Sequence, residues 1–248
     1  MDYMLGKLPA KFDKRTLCVS DYIMELPKAP ASHAWSGKVS DWGMMLNDTI
    51  GDCAVCGPGH MIQCWSANES SQITPTDAQI LKAYSAISGY NPVTHANDNG
   101  CNMLDVLKYW QKKGIASQKI LAYASVPPSN LDHVHAAMYL FGGIDIGLEL
   151  PISAQKQIGK TWDVPRGGAT GNGEPGSWGG HCVTIYDYDG NGKFVCCTWG
   201  QLQKMTAKFL QTYCDNEAFA VVSKLWVSRG KCPSGFDLGQ LLADVKTL

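Results

Sequence analysis

The sequence has no excess of either charge sign: 21 lysines and arginines stand against 22 aspartates and glutamates over 248 residues. With no basic run and no basic amphipathic stretch, neither nucleic acid nor a membrane surface is an expected partner. No apolar stretch approaches the roughly 20 residues of a bilayer span; the longest, residues 136–150, is interrupted by glycines and by Asp145. The first 14 residues lack the apolar core and small-residue cleavage site of a secretory signal. There is no internal repeat, and the only biased segment is the glycine-rich stretch 167–180.

What the chain does contain suits a folded protein. Hydrophobic residues make up 45% of it, and its length suffices for one large domain or two closely packed lobes. Its ten cysteines are irregularly spaced and include the vicinal pair Cys196-Cys197. Adjacent cysteines pair only with strain, so the set reads as free thiols in a cytoplasmic or otherwise reducing setting. The eight tryptophans read as core and lobe-interface packing.

Residues 1–44, with Pro9, Pro27 and Pro30, read as an extended segment wrapping the body. Residues 53–66 have helical composition, and Pro58 between two glycines is expected to kink or restart that helix. Thr74-Pro75-Thr76-Asp77 is an N-terminal signal for a helix over 78–88. Further helices are expected over 103–113, stopped by Gly114, and over 129–141, stopped by Gly142-Gly143. Residues 144–150 (IDIGLEL) alternate as a half-buried strand does, and 181–188, 193–199 and 218–222 are further strands. Asp189-Gly190-Asn191-Gly192 would turn the chain between the second and third of these. Helices first and strands later predict an α+β protein of two segregated lobes.

Two residues carry the chemistry. Cys53, in Gly51-Asp52-Cys53-Ala54-Val55, stands where a loop becomes a helix. Unpaired amides and the helix dipole there favour thiolate and predict a lowered pKa. His181 follows two glycines at the start of a strand, unlike the histidines at 33, 60, 95, 133 and 135, which sit in expected loops or helices. Asp48 and Asp52 flank the cysteine loop as routine capping acids, and Asp187 lies further along the strand of His181.

The order of these residues resembles the papain family of cysteine peptidases over residues 36–225. Asn47 stands six residues before Cys53, where that family places its oxyanion-hole glutamine. Gly100-Cys101-Asn102 resembles the family's Gly-Cys-Asn segment, and Lys112-Lys113-Gly114-Ile115 ends the next helix in similar fashion. Phe141-Gly142-Gly143-Ile144-Asp145-Ile146 is similar to the strand under the family's active site. Cys197-Thr198-Trp199-Gly200, beginning sixteen residues after His181, matches Asn-Ser-Trp-Gly. The resemblance implies a papain-like domain over 1–248: an extended segment (1–44), a helical lobe (45–125) and a β-rich lobe (126–248), with the cleft between the lobes. It implies a cysteine peptidase acting on peptide or protein substrates without a cofactor or metal. Cys53, His181 and Asn47 would be catalytic, and Trp199, Asn102, Met103 and Gly180 would bind substrate.

Several positions depart from the family pattern. Cys197 replaces the asparagine that orients the histidine, which leaves Thr198 or a backbone carbonyl for that task. Met103-Leu104 replaces a glycine pair that contacts substrate backbone, and Cys101 lacks its disulfide partner because Ile50 stands there. No inhibitory propeptide of the family's type is recognisable, and stretch 167–180 could form a lip over the cleft. A papain-like scaffold without turnover is the alternative. Cys53-x2-Cys56-x3-His60 could instead bind zinc, although no fourth ligand is evident, and a redox role for Cys53-x2-Cys56 lacks the βαβ setting.

Overall fold

The computed structural model describes residues 3–21, 28–227 and 243. In chain order they form β1 (Leu17–Cys18), β2 (His33–Ala34), α1 (Cys53–Glu69), α2 (Asp77–Ser88), α3 (Met103–Lys112), β3 (Ile120–Ser125), α4 (Leu131–Phe141), β4 (Ile144–Leu150), β5 (Thr161–Trp162), β6 (Gly179–Tyr188), β7 (Lys193–Thr198), β8 (Gln201–Thr206), α5 (Ala207–Tyr213) and β9 (Cys214–Ser223). The strands make one sheet in the order β1-β3-β9-β4-β6-β7-β8-β5, with β2 added onto β6. The result is the expected α+β arrangement, a helical lobe of α1 to α3 against a mostly antiparallel β lobe.

Local chemistry explains the helix limits. Thr76 caps α2 in a reciprocal box with Gln79, and Gly89 closes it in the left-handed region. Asn130 accepts from the amides of Asp132 and His133 to start α4, and Gly142 ends it. Helix α1 runs as one element through Pro58 and does not restart there. Proline there deletes one amide donor, and the helix is buried from Cys53 through Ser66, so packing sustains it past the missing bond.

Strand β4 also departs from expectation. Its alternation predicts one wet face, yet every residue but Glu149 is buried. The polar positions Asp145, Gly147 and Glu149 share the face that looks toward α1 and the N-terminal segment. A Cβ on Gly57 of α1 would lie 2.6 Å from Asp145, and one on Gly147 would lie 2.2 Å from the Lys7 stem. Residues far away in sequence cover that face, so the period of β4 could not show it. Burial pushes the Asp145 pKa up to about 7, although Cys182 and Thr184 donate to its Oδ1.

Candidate active site

Cys53 is the first residue of α1, as its position at a loop-to-helix junction predicts. His181 lies in β6, which packs against α1 and continues into Cys182. The backbone amides of Cys182 and Gly6 face the Cys53 thiol, which places it beside the His181 strand and near the N-terminal segment. Both side chains are buried.

The imidazole of His181 is held on two sides. Its Nε2 pairs with Thr198 Oγ1 at 2.7 Å, and Trp199 stacks on the ring at 4.4 Å between centroids and 15° between planes. Cys197 instead pairs in register with Thr184 between β6 and β7. The group that orients the ring therefore sits one residue later than the motif's asparagine. Nδ1 is buried and has no hydrogen-bond partner. Trp199 takes a left-handed backbone (φ 46°), uncommon for a bulky residue, and this aims the indole back over the histidine.

Residues 3–9 lie across this site as a strap. The Tyr3 ring packs on Trp199 at 4.7 Å, and Trp199 Nε1 donates to the Met4 carbonyl at 3.0 Å. The Met4 amide donates to the Asn47 carbonyl, and the amides of Gly6 and Lys7 donate to the Gly180 carbonyl at 3.3 and 3.1 Å. Cys101 exchanges backbone bonds with Gly6 and Leu8, and Asn102 Nδ2 donates to the Pro9 carbonyl at 2.6 Å. Gly6 is required where it stands: a Cβ would come within 1.8 Å of the Gly51 carbonyl. Trp199, Asn102 and Gly180, expected to hold substrate, thus hold the chain's own N-terminus. Met103 is buried in the first turn of α3.

Under the strap the two candidate catalytic groups are neutral. Burial raises the Cys53 pKa to about 12, against the opposing pull of the Cys182 amide, and lowers that of His181 to about 3. The lowered thiol pKa expected from the helix terminus is not met, because desolvation outweighs the dipole. Asn47 is buried, and its Nδ2 donates to Asp52 Oδ1 at 3.2 Å and toward the Ile50 carbonyl at 3.5 Å, so both amide hydrogens are engaged. Asp52 forms no side-chain cap, contrary to its reading as a capping acid. It accepts from Asn47 and from the Cys56 thiol, its Oδ2 is unpartnered, and burial raises its pKa to about 8.

Cys56 faces Asp52 and the Met45 carbonyl, and His60 Nε2 faces the Gly43 carbonyl at 3.2 Å. No group of three or more metal-ligating side chains occurs among the described residues. The glycine-rich stretch is fastened to β4 by the amides of Gly176 and Trp178, which donate to the carbonyls of Glu149 and Leu150. Among the described residues no helix is long and apolar enough to cross a membrane.

These features define the papain-like fold. No family model matches the chain, and no curated protein matches it by sequence. Among solved structures it is similar to xylellain, a cysteine protease from Xylella fastidiosa, with a TM-score of 0.65 and 15% identity over 90% of this chain and 97% of that one. It is also similar to proCathepsin B S9 from Trypanosoma congolense, with a TM-score of 0.60 and 10% identity over 89% of this chain and 87% of that one. Digestive procathepsin L 3 of Tenebrio molitor larval midgut gives a TM-score of 0.55 at 12% identity, over 89% and 76% of the two chains. The chain therefore has the fold of papain-like cysteine proteases.

Proposed function

We propose that this chain is a cysteine-dependent hydrolase of peptide or protein substrates, in a state closed by its own residues 3–9. The observation that carries the reading is the His181 environment: one ring nitrogen bound to Thr198, Trp199 stacked on the face, and Nδ1 left unpartnered in the strand that abuts Cys53. The tautomer that donates Nε2–H to Thr198 leaves a lone pair on Nδ1 to take the thiol proton.

Strap release returns water to the cleft and removes the desolvation that keeps both groups neutral. The Cys53 thiol then passes its proton to His181 Nδ1, and the thiolate attacks the substrate carbonyl. As the carbon–nitrogen bond breaks, the imidazolium protonates the leaving amine. Water, deprotonated by neutral His181, cleaves the thioester and restores the thiol. The Cys53 amide at the start of α1 is one donor to the oxyanion. Asn47 serves as a second once its amide turns from Asp52.

Fluorogenic peptide amides test this with the full chain. Wild type hydrolyses slowly and Lys7→Ala faster, while Cys53→Ala or His181→Ala on either background reduces the rate to that of buffer. Hydrolysis that survives Cys53→Ala would sink the proposal, and so would its absence from every variant. Thr198→Val, which removes the positioning hydroxyl, is expected to lower kcat about a hundredfold, within the range of general acid–base contributions. Thr198→Ser, which retains the hydroxyl, keeps most of the rate; equal losses in both variants would point to packing rather than orientation.

A further inference from the structure

Beside Cys53 lies a feature that bond cleavage does not use, a lysine buried among three carboxylates. Lys7 Nζ contacts Asp215 Oδ2, Glu217 Oε2 at 3.2 Å and Glu149 Oε1 at 3.6 Å, and it donates to the Leu8 carbonyl at 3.1 Å. Its side chain has no exposed surface, and that of Glu217 is 1% exposed. Glu217 Oε2 has no hydrogen-bond partner and only this ion pair to face. Gly147 and Glu149 come from β4, while Asp215 and Glu217 come from β9, which pairs with β4. The recess thus belongs to the sheet, whereas its occupant belongs to the strap.

Two features mark it as more than an anchor. One carboxylate suffices to pair one ammonium, yet three converge here, and the recess stays net negative even when filled. It is also shaped for an unbranched stem, because a Cβ on Gly147 would come within 2.2 Å of Lys7 Cε. Its place in the cleft is set by the backbone: Lys7 N–H bonds the carbonyl of Gly180, the residue before His181, and the preceding Gly6 amide bears on Cys53. Release of the strap would leave these three carboxylates without the Lys7 ammonium.

We infer that Glu149, Asp215 and Glu217 form the side-chain specificity pocket of the cleft, that it takes a lysine or arginine of the substrate close to the scissile bond, and that Lys7 is the chain's own stand-in for that side chain. The inference rests on the hydrolase reading for the word substrate, but the pocket's selectivity is measurable without turnover.

The test titrates full-length Lys7→Ala/Cys53→Ala with two capped peptides. One is Met-Leu-Gly-Lys-Leu-Pro, which reproduces residues 4–9, and the other carries norleucine in place of lysine. The lysine peptide is expected to bind at least tenfold more tightly. Its advantage should shrink with added salt and vanish when Asp215→Asn and Glu217→Gln are introduced. Equal affinities, or no binding by either peptide, would overturn the inference. Hydrolysis by the wild-type chain gives a second readout that does not depend on how the Lys7 variant folds. Peptide amides carrying lysine, arginine, norleucine or glutamate at each position flanking the scissile bond are expected to show a basic preference. Turnover without that preference would overturn the pocket and leave the hydrolase standing, whereas selective binding with no turnover would sink the hydrolase reading alone.

Discussion

Lys7→Ala raises the rate at which iodoacetamide modifies Cys53 by about a hundredfold. Removing one partner of a buried ion pair costs about 3–5 kcal/mol, because the remaining charges stay desolvated. Here the cost has a local outlet. Glu149 and Asp215 are already partly exposed, and letting the strap go returns all three carboxylates to water. About 3 kcal/mol in favour of release raises the open population by roughly a hundredfold. Peptide mapping after timed alkylation reads the effect at Cys53, with Cys56, Cys64 and Cys196, all buried, as internal controls. Faster labelling at Cys53 alone is strap release; faster labelling at all four is unfolding, and an unchanged Cys53 rate would show that the strap does not gate the thiol.

Asp145→Asn gains stability relative to wild type as the pH rises from about 4 to about 7. In the folded chain burial holds the Asp145 pKa at about 7, against a reference of 3.8. A raised folded pKa means that the folded state binds the extra proton. The associated stability is therefore fully present below about pH 4 and is lost as the pH rises through about 7. A shift of this size corresponds to about 4 kcal/mol at most. Asparagine keeps an acceptor for the Cys182 thiol and the Thr184 hydroxyl and supplies a donor where the protonated acid has one. Urea titrations at pH 4, 6 and 8 should show the variant's gain over wild type growing toward pH 8. Parallel profiles would mean that Asp145 is ionised in the fold.

Much of this was legible in the sequence, for identifiable reasons. The limits of α2, α4 and β4 are set by neighbours in sequence: the Thr76 box, the Asn130 cap, Gly142, and the alternation from Ile144 to Leu150. The placement of Cys53 at the start of α1 and of His181 near the start of β6 could be read because a helix start and a glycine-flanked strand start are both local signals. The orienting role of Thr198 was readable as one of two options once Cys197 was seen where an asparagine would stand.

What was hidden depends on contacts distant in sequence. Nothing in residues 3–9 reveals that they lie between Trp199 and Asn102, since seven extended residues have no periodicity to read. For the same reason β4 was expected to have a wet face, and Cys53 a lowered pKa. Strand β8 and helix α5 were missed because Gln201–Thr206 is short and partly polar, and Ala207–Tyr213 spans only two turns. The charged side chains in this region carried a usable hint. Lys7, Glu149, Asp215 and Glu217 are scattered over the sequence, yet three of them sit in or beside apolar strand patterns, where an unpaired charge is costly.

A hydrolase of this kind requires that Cys53 and His181 act as one unit. The measurement that tests this most directly is labelling of Lys7→Ala with an epoxysuccinyl thiol-directed inhibitor, with and without His181→Ala, and location of the adduct by mass spectrometry. A single adduct on Cys53, formed at least about a hundredfold more slowly once His181 is replaced, is expected. Adducts spread over several cysteines at rates indifferent to His181 would contradict it and leave a papain-like scaffold without the chemistry.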